Sequence, residues 1–439
     1  MKFTRFGKAL LMGALSVGIV LSVTSCVESY TVGFLFVTGT VTSQSSNSGI
    51  ISGFKIDHNT GKLTPINGMP ISSGGANPDR AVLLLGSRFL YVLNRGTNAQ
   101  GGSVCTTANP CENSNITQFA VGGNGILTPQ ETFYTQGINP IRMFADAAGA
   151  YLFVLDHDAP SNAACALALG ASAKTCGDIT VFSINSSTGR LQLVVNAQVS
   201  AANGTPLTYF PVPANPIDFL LSSTYVFTLS GTPATGDVVF PYNEAIASGQ
   251  LTVTQNSAQP LNIAQATAIT GGGSYIYVLD NEPIVANGTT SASQILPFSV
   301  GTGGALEPQT GGIVPDDPTL SNPIYLLVES KSKFLYVANQ GNNTNTTNAQ
   351  SGLAGYVIDP ATHQLSYIAG EPFGTGAGPQ CLVEDPSNQF IYTANFDDST
   401  VTGRVIDPNS GVLNNLRVAN SYSLSGQPTW CLVDGRTSY

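Results

Sequence analysis

Apolar runs along this chain are short, and seven of them share one spelling. Each opens on an aromatic residue, continues through aliphatic and aromatic residues and stops on a polar or small one: FLFVTG from position 34, FLYVLN from 89, YLFVLD from 151, YVFTLS from 225, YIYVLD from 275, FLYVAN from 334 and FIYTAN from 390. Apolar residues fall on both parities, so neither side of the run suits water, and the pattern predicts a strand covered on both faces. The starts lie 50 to 74 residues apart. That is long for a single supersecondary unit but suits a four-stranded sheet with variable loops.

Flanking segments supply the other strands. After a polar loop comes a hairpin, as in ISGFKIDHNTGKLTPI, ITVFSINSSTGRLQLV, LAGYVIDPATHQLSYI and VTGRVIDPNSGVLNNL, with Asn, Asp, Pro and Gly at the turns. Ahead of most of the runs stands a Pro-led strand: NPDRAVLLL, NPIRMFADA, NPIDFLLSS, NPIYLLVES and GPQCLVEDP, with QPTWCLVDG at the C-terminal end. Each unit therefore reads inner, second, third and outer strand. The C-terminal unit holds an inner strand alone, whereas the N-terminal unit opens on a second strand, GFLFVTG. Pairing the two ends would complete a seventh sheet and remove both free edges. The expectation is an all-β fold, a seven-bladed β-propeller of four-stranded blades spanning 33–439, closed by one C-terminal strand plus three N-terminal strands.

The segments FLYVANQGN, LAGYVIDPATHQL and AGPQCLVEDPSNQFIYTANFDDSTVTGRVIDPNSGVL resemble the Tyr-Val-x-Asn (YVTN) repeat propellers and their relatives, the seven-bladed lactonase propellers of the 6-phosphogluconolactonase type. The resemblance covers essentially all of the chain past residue 32 at the level of repeat shape. It speaks for the fold more than for the chemistry, because one fold hosts unrelated functions. The resemblance implies inner strands that begin Gly-Pro-Arg-His and an Asn-Glu pair after Tyr-Val-x. Here Gln380 and Cys381 stand where Arg and His would, Arg142 comes one place late in INPIR, and Glu282 lies one residue beyond the expected spot. These departures remove the obvious groups for polarising a lactone carbonyl and activating water.

Ahead of the repeats, Lys2, Arg5 and Lys8 precede the apolar run ALLMGALSVGIVLSV, the pattern of an export signal over 1–25. The run is shorter than the ~20 residues a membrane-spanning helix needs. It ends at VTSC, which resembles the lipobox of bacterial lipoproteins and makes Cys26 the expected lipidation site, with 26–32 as a tether; the alternative is a secreted chain cut near Ser25. The expected location is the cell envelope, lipid-anchored and extracytoplasmic, on the outer membrane or the periplasmic side. Loss of the signal removes three basic and no acidic residues and takes the net charge from −10 to −13. An acidic chain with only 10% charged residues is no nucleic-acid binder. Two cysteine pairs close in sequence, Cys105 with Cys111 and Cys165 with Cys176, read as local disulfides of an oxidising compartment. Cys381 and Cys431 occupy matching places in their repeats and read as buried thiols.

Candidate chemistry follows from the repeat. The long second-to-third loops, such as RGTNAQGGSVCTTANPCENSN and HDAPSNAACALALGASAKTCGD, gather on one face, where a rigid scaffold presents binding groups. Two rings of residues should converge there: Arg80, Arg142, Asp218, Tyr325, Cys381 and Trp430, each two places after the strand's Pro, and Arg95, Asp156, His157, Asp158, Asp280, Asn339, Asn395 and Asp397 just past the second strand. Arginines could receive a carboxylate or sugar acid through planar donors, with Trp430 and Tyr325 as a stacking platform. The competing reading pairs the arginines with Asp218 and neighbouring carboxylates and makes Trp430 packing. His157 could serve as a base beside Asp156 or Asp158. Three scattered histidines build no zinc site. DHD and FDDS leave Ca²⁺ as an option, without any EF-hand spacing, and no other cofactor is expected.

Two functions stand against each other. The first is a non-catalytic, monomeric propeller that binds a sugar, peptide or envelope protein on its long-loop face. The second is a lactone hydrolase using Arg142, Arg80 and His157, acting on an unphosphorylated lactone because few cations are available for a phosphate dianion.

Overall fold

All seven apolar runs form strands, and in four of them, Phe89–Asn94, Tyr275–Asp280, Phe334–Asn339 and Phe390–Asn395, every residue is buried. The computed structural model describes residues 30–435 apart from 42–46, 85, 87, 223, 232–235, 246, 255–258, 264, 273, 282–283, 287–288, 292, 310 and 342–349. The chain winds into seven antiparallel blades around one axis. Blade 1, for example, runs Pro78–Leu83, Phe89–Asn94, Asn115–Val121 and Leu127–Phe133 from inner to outer edge. In five blades an additional short strand also pairs with the third, so the outer edge is split in two. A short helix, Ala163–Leu169, rides in the long loop of blade 2.

Blade 7 closes the ring. Its inner strand is the C-terminal Gln427–Asp434, hydrogen-bonded to the N-terminal Thr31–Val41, which in turn pairs with Ser48–Asp57 and then Leu63–Pro65. Phe34 faces Asp434 and Thr38 faces Trp430 across this seam. The complementary ends anticipated from sequence therefore do meet.

Blades are joined by a contact the repeat spells out. The lead aromatic of each second strand lies under the tight third-to-outer turn of the next blade, beside a residue in the left-handed region: Phe34 under Gly125, Phe89 under Gly189, Tyr151 under Gly249, Tyr225 under Gly304, Phe334 under Gly411 and Phe390 under Gly61. A Cβ on Gly61, Gly125 or Gly411 would stand 2.5 Å from the neighbouring ring. In blade 5 the same turn position is His363, which stacks flat on Tyr275 with centroids 4.2 Å apart. Two residues on, a tyrosine adds a hydrogen bond: the buried hydroxyls of Tyr277, Tyr336 and Tyr392 donate to the carbonyls of His363, Gly411 and Gly61 at 2.8, 2.7 and 2.8 Å, and Tyr91 donates to Gly189. The aromatic spacing of the sequence is thus an inter-blade device as much as a core pattern.

Three disulfides are present. Cys105–Cys111 and Cys165–Cys176 staple the loops as expected, with Cα atoms 5.2 and 5.6 Å apart. The expectation of free thiols at Cys381 and Cys431 is corrected: the two are bonded, with Cα atoms 6.0 Å apart. They lie on the inner strands of blades 6 and 7, where the narrowing of the ring toward its axis brings matching positions of adjacent repeats within reach. This bridge ties the last complete blade to the seam.

Two outcomes follow. Gly61 and Gly68 both have positive φ, but only at Gly61 would a Cβ meet anything. Both alanine variants bear the left-handed cost of ~1–2 kcal/mol, and Gly61→Ala adds overpacking of ~1–3 kcal/mol; thermal unfolding should rank Gly61→Ala well below Gly68→Ala. Loop closure over a separation of 50 residues predicts a larger loss from the double variant Cys381→Ala/Cys431→Ala than from Cys105→Ala/Cys111→Ala, whose separation is 6, roughly 4 against roughly 2 kcal/mol by chain entropy. Denaturant midpoints at equal m-value check this order.

Candidate functional site at the channel mouth

Inner strands begin with a repeated irregularity. The residue before the proline takes the left-handed conformation at Asn77, Asn139, Asn215, Asn322 and Gly378, which Asn and Gly tolerate best. Directly after the proline, pairing with the second strand skips one residue, at Asp79, Ile141, Ile217, Ile324, Gln380 and Thr429. Blade 4 shows the same slip without a proline, between Ala266 and Ala268. These are β-bulges, which re-aim the side chains that follow. Because each inner strand starts opposite the end of its second strand, all seven bulges lie on the long-loop side.

Five of the re-aimed side chains meet in one place. Arg80, Arg142, Asp218, Tyr325 and Trp430, with Ala268 from blade 4, line a cavity of about 70 Å³ at the axis. Arg80 lays its guanidinium over the Trp430 ring, 4.1 Å from the centroid, and Tyr325 meets the same ring edge-on at 5.1 Å. Arg142 Nε donates to Asp218 Oδ1 at 3.0 Å, and Asp218 also accepts from the backbone N–H groups of Phe219 and Ile269 at 3.0 and 3.1 Å. Asp79, the bulge residue, stands 3.4 Å from Arg80 Nη1 and 3.9 Å from Arg142 Nη1. The cluster is thus a half-buried set of two cations and two anions, with Arg80 stacked on Trp430. Burial and the neighbouring Arg142 lower the Arg80 pKa to about 10, which still leaves it protonated at neutral pH. Its Nε is buried without a hydrogen-bond partner, an expensive state for a charged donor. The sixth ring member, Cys381, is spent on the disulfide.

Other predicted residues lie elsewhere. Arg95 lines a second, larger space of about 370 Å³ between the closing blade and blade 1, together with Asp79, Asn47, Ser103, Phe396 and Thr429. Asp156 and Asp280 do not face the channel mouth; both are fully buried and clamp the second strand to the third. Gln294 Nε2 donates to Asp280 at 2.6 Å. His157 pairs with Asp158 at 3.1 Å on the rim of blade 2 and is not among the residues lining the axial cavity, so a role as base at that cavity is not supported by its position. Glu282 and Cys26 lie outside the described residues. Among the described residues no group of three or more His, Cys, Asp or Glu is arranged to hold a metal ion; Asp158 is occupied by His157, Thr107 and Asn139, and Asp398 by Ala377 N–H and Thr400. Sequence reasoning missed Asp79, because nothing short of the bulge brings the residue next to the proline onto the arginines.

The Asp156 node differs from its counterparts. In blade 1 the same place is Asn94, whose amide donates to Asn115 and Thr117 at 3.0 and 3.3 Å. In blade 2 the paired residues are Asp156 and Asp178, and both carboxyls are fully buried. Thr135 and Thr180 donate to Asp156, yet Asp156 Oδ1 and Asp178 Oδ2 find no partner. Two acceptor-only groups in one site cannot both ionise cheaply. Burial raises the Asp156 pKa to about 7, and burial plus the Asp156 charge raises that of Asp178 well above the carboxylate range.

The chain matches the family described as Lactonase, 7-bladed beta-propeller, over residues 48–205 and 293–431, and it belongs to that family. Among solved structures it is similar to a putative 6-phosphogluconolactonase from Bacteroides fragilis, 16% identical with a TM-score of 0.62 over 92% of this chain and 98% of that one. It is equally similar to the periplasmic gluconolactonase of Pseudomonas aeruginosa, 18% identical with a TM-score of 0.62 over 92% and 99%. At these identities the likeness carries the fold alone. No curated protein matches the chain.

The carboxyl pair makes stability depend on pH. Between the unfolded carboxylate value of ~3.9 and the folded Asp156 value of about 7, the folded state holds more protons than the unfolded chain, so stability falls as pH rises through that window. Glu244 and Glu371, each raised to about 7 by burial, act in the same direction. Asp156→Asn supplies the donor that Asn94 supplies in blade 1. It should raise the melting temperature at pH 8 and remove up to one proton, ~1.4 kcal/mol per pH unit, from the slope measured between pH 4.5 and 7.

Proposed function

We propose that this protein is an extracytoplasmic lactonase that opens an unphosphorylated sugar lactone at the channel mouth. Family membership supports the reaction class. The observation that carries the reading to particular residues is Arg80, stacked on Trp430 with a buried donor left without a partner. Such a donor suits a carbonyl oxygen that gains negative charge as water adds. Trp430 and Tyr325 would wall in the reacting end of the lactone, while Arg142 holds Asp218, whose remaining acceptor capacity can orient the attacking water and take its proton. Attack on the carbonyl carbon gives a tetrahedral oxyanion. The ring C–O bond then breaks, and its oxygen takes the proton to leave a hydroxy acid.

Charge favours an unphosphorylated substrate, because Asp79 and Asp218 already offset Arg80 and Arg142 and no spare cation at the cavity would meet a phosphate dianion. The three disulfides fit an oxidising compartment; attachment through Cys26 is part of the proposal. The same ion pairing, with no histidine lining the cavity, favours binding without turnover as a second reading.

A panel of sugar lactones offered to the chain lacking residues 1–26 tests this. Saturable ring opening is expected, reduced about a hundredfold in kcat/KM by Arg80→Gln, the typical loss of one oxyanion donor. His157→Ala should stay within about twofold, since His157 pairs with Asp158 and does not line the axial cavity. An inert panel, or activity indifferent to Arg80→Gln, would return the protein to the binding reading.

A further inference from the structure

The axial cavity of about 70 Å³ holds a few waters or the reacting end of a ligand, not a whole sugar. The space beside it, about 370 Å³, falls within the range of small-molecule sites. We infer that this chamber is a sugar-acid subsite, in which Arg95 receives a carboxylate and the surrounding hydroxyl and amide groups receive the ligand's hydroxyls. The inference deepens the proposed function by naming its substrate class: lactones that carry a free carboxylate, as the monolactone of an aldaric acid does.

Four observations carry it. Arg95 Nε is buried without a hydrogen-bond partner, and no acidic side chain among the described residues pairs with Arg95. The other charge on the chamber wall, Asp79, is paired with Arg80 and Arg142 at 3.4 and 3.9 Å, so among the described lining residues Arg95 is the one cation, and it has no ion-pair partner. One unpaired guanidinium matches one carboxylate and falls short of a phosphate dianion. Thr40, Asn47, Ser103 and Thr429 bring polar groups and Phe396 a ring, the mixture that a polyol with one apolar face calls for. Two points of the wall are tied down: Asn47 Nδ2 donates to Gly101 O at 3.0 Å, and Cys105 is bonded to Cys111. Asp79 lines the chamber and reaches Arg80 of the axial cavity at 3.4 Å, so one ion pair separates the two spaces.

Titration calorimetry on the chain lacking residues 1–26 tests the subsite without turnover, using glucarate and glucuronate against glucose and acetate. The sugar acids should bind saturably, with glucose and acetate at least about tenfold weaker, the scale of one charged hydrogen-bonded contact. Arg95→Gln should weaken the acids by about tenfold or more and leave glucose unchanged. Ser103→Trp, at an exposed loop position, should block all of them, and it carries the test should Arg95→Gln fail to fold. No saturable acid binding, acetate equal to glucuronate, or Arg95→Gln equal to the parent chain each overturns the inference. Among lactones, a carboxylate-bearing monolactone should show a lower KM than gluconolactone, with the preference erased in Arg95→Gln. Arg95-dependent acid binding with no lactone turnover would sink the lactonase reading and keep the subsite; turnover indifferent to the ligand carboxylate would do the reverse.

Discussion

The contact between a lead aromatic and the glycine turn of the next blade is the constraint on which the rest of the structure depends. A four-stranded blade is amphipathic on neither face, and it cannot cover its second strand alone. Each blade supplies a ring to its successor and a turn to its predecessor, so burial is complete only when the circle is. The joint between Phe390 and Gly61 makes this concrete, because it links the sixth blade to a turn near the other end of the chain. The tyrosine hydroxyls then fix the angle of that joint through a directional bond that a hydrophobic contact alone would not impose.

From this closed frame the site follows almost geometrically. Seven inner strands start at one rim, each with a bulge that aims the residue after it toward the axis. The fold treats these seven positions alike; the sequence does not. It writes Arg80, Arg142, Asp218, Ala268, Tyr325, Cys381 and Trp430 into them, and this broken symmetry creates a charge-paired, aromatic corner. One position was taken from ligand chemistry and used to lock the seam through Cys431, which places closure and recognition in direct competition for the same ring of side chains.

The second ring shows how a repeat can keep its geometry while changing its chemistry. Asn94 and Asp156 occupy equivalent ends of second strands, buried to the same degree. An amide brings its own donors, whereas a carboxyl must find a proton or a donor elsewhere. The blade 2 node therefore responds to pH where the blade 1 node does not, although the backbone is indistinguishable in plan. Burial also explains why Asp156 and Asp280, two members of the second ring read from the sequence, clamp strands together rather than face the channel mouth.

Sequence by itself determined the blade count, the strand order within each blade and the closure of the ends, because these rest on local periodicity, turn residues and the need to pair every edge. It also named five of the residues that line the axial cavity, since a proline at a fixed offset marks the same place in each of their blades. Tertiary structure alone decided which of the charges share a space. Asp79 joins the arginines only because a bulge turns it onto them, and His157 is apart from them, paired with Asp158. Arg95 sits in a separate chamber, and Cys381 reaches Cys431 because the ring narrows toward its axis. Strand periodicity is a one-dimensional signal, whereas the distance between side chains on different blades is fixed by the radius of the closed circle, which no short stretch of sequence contains.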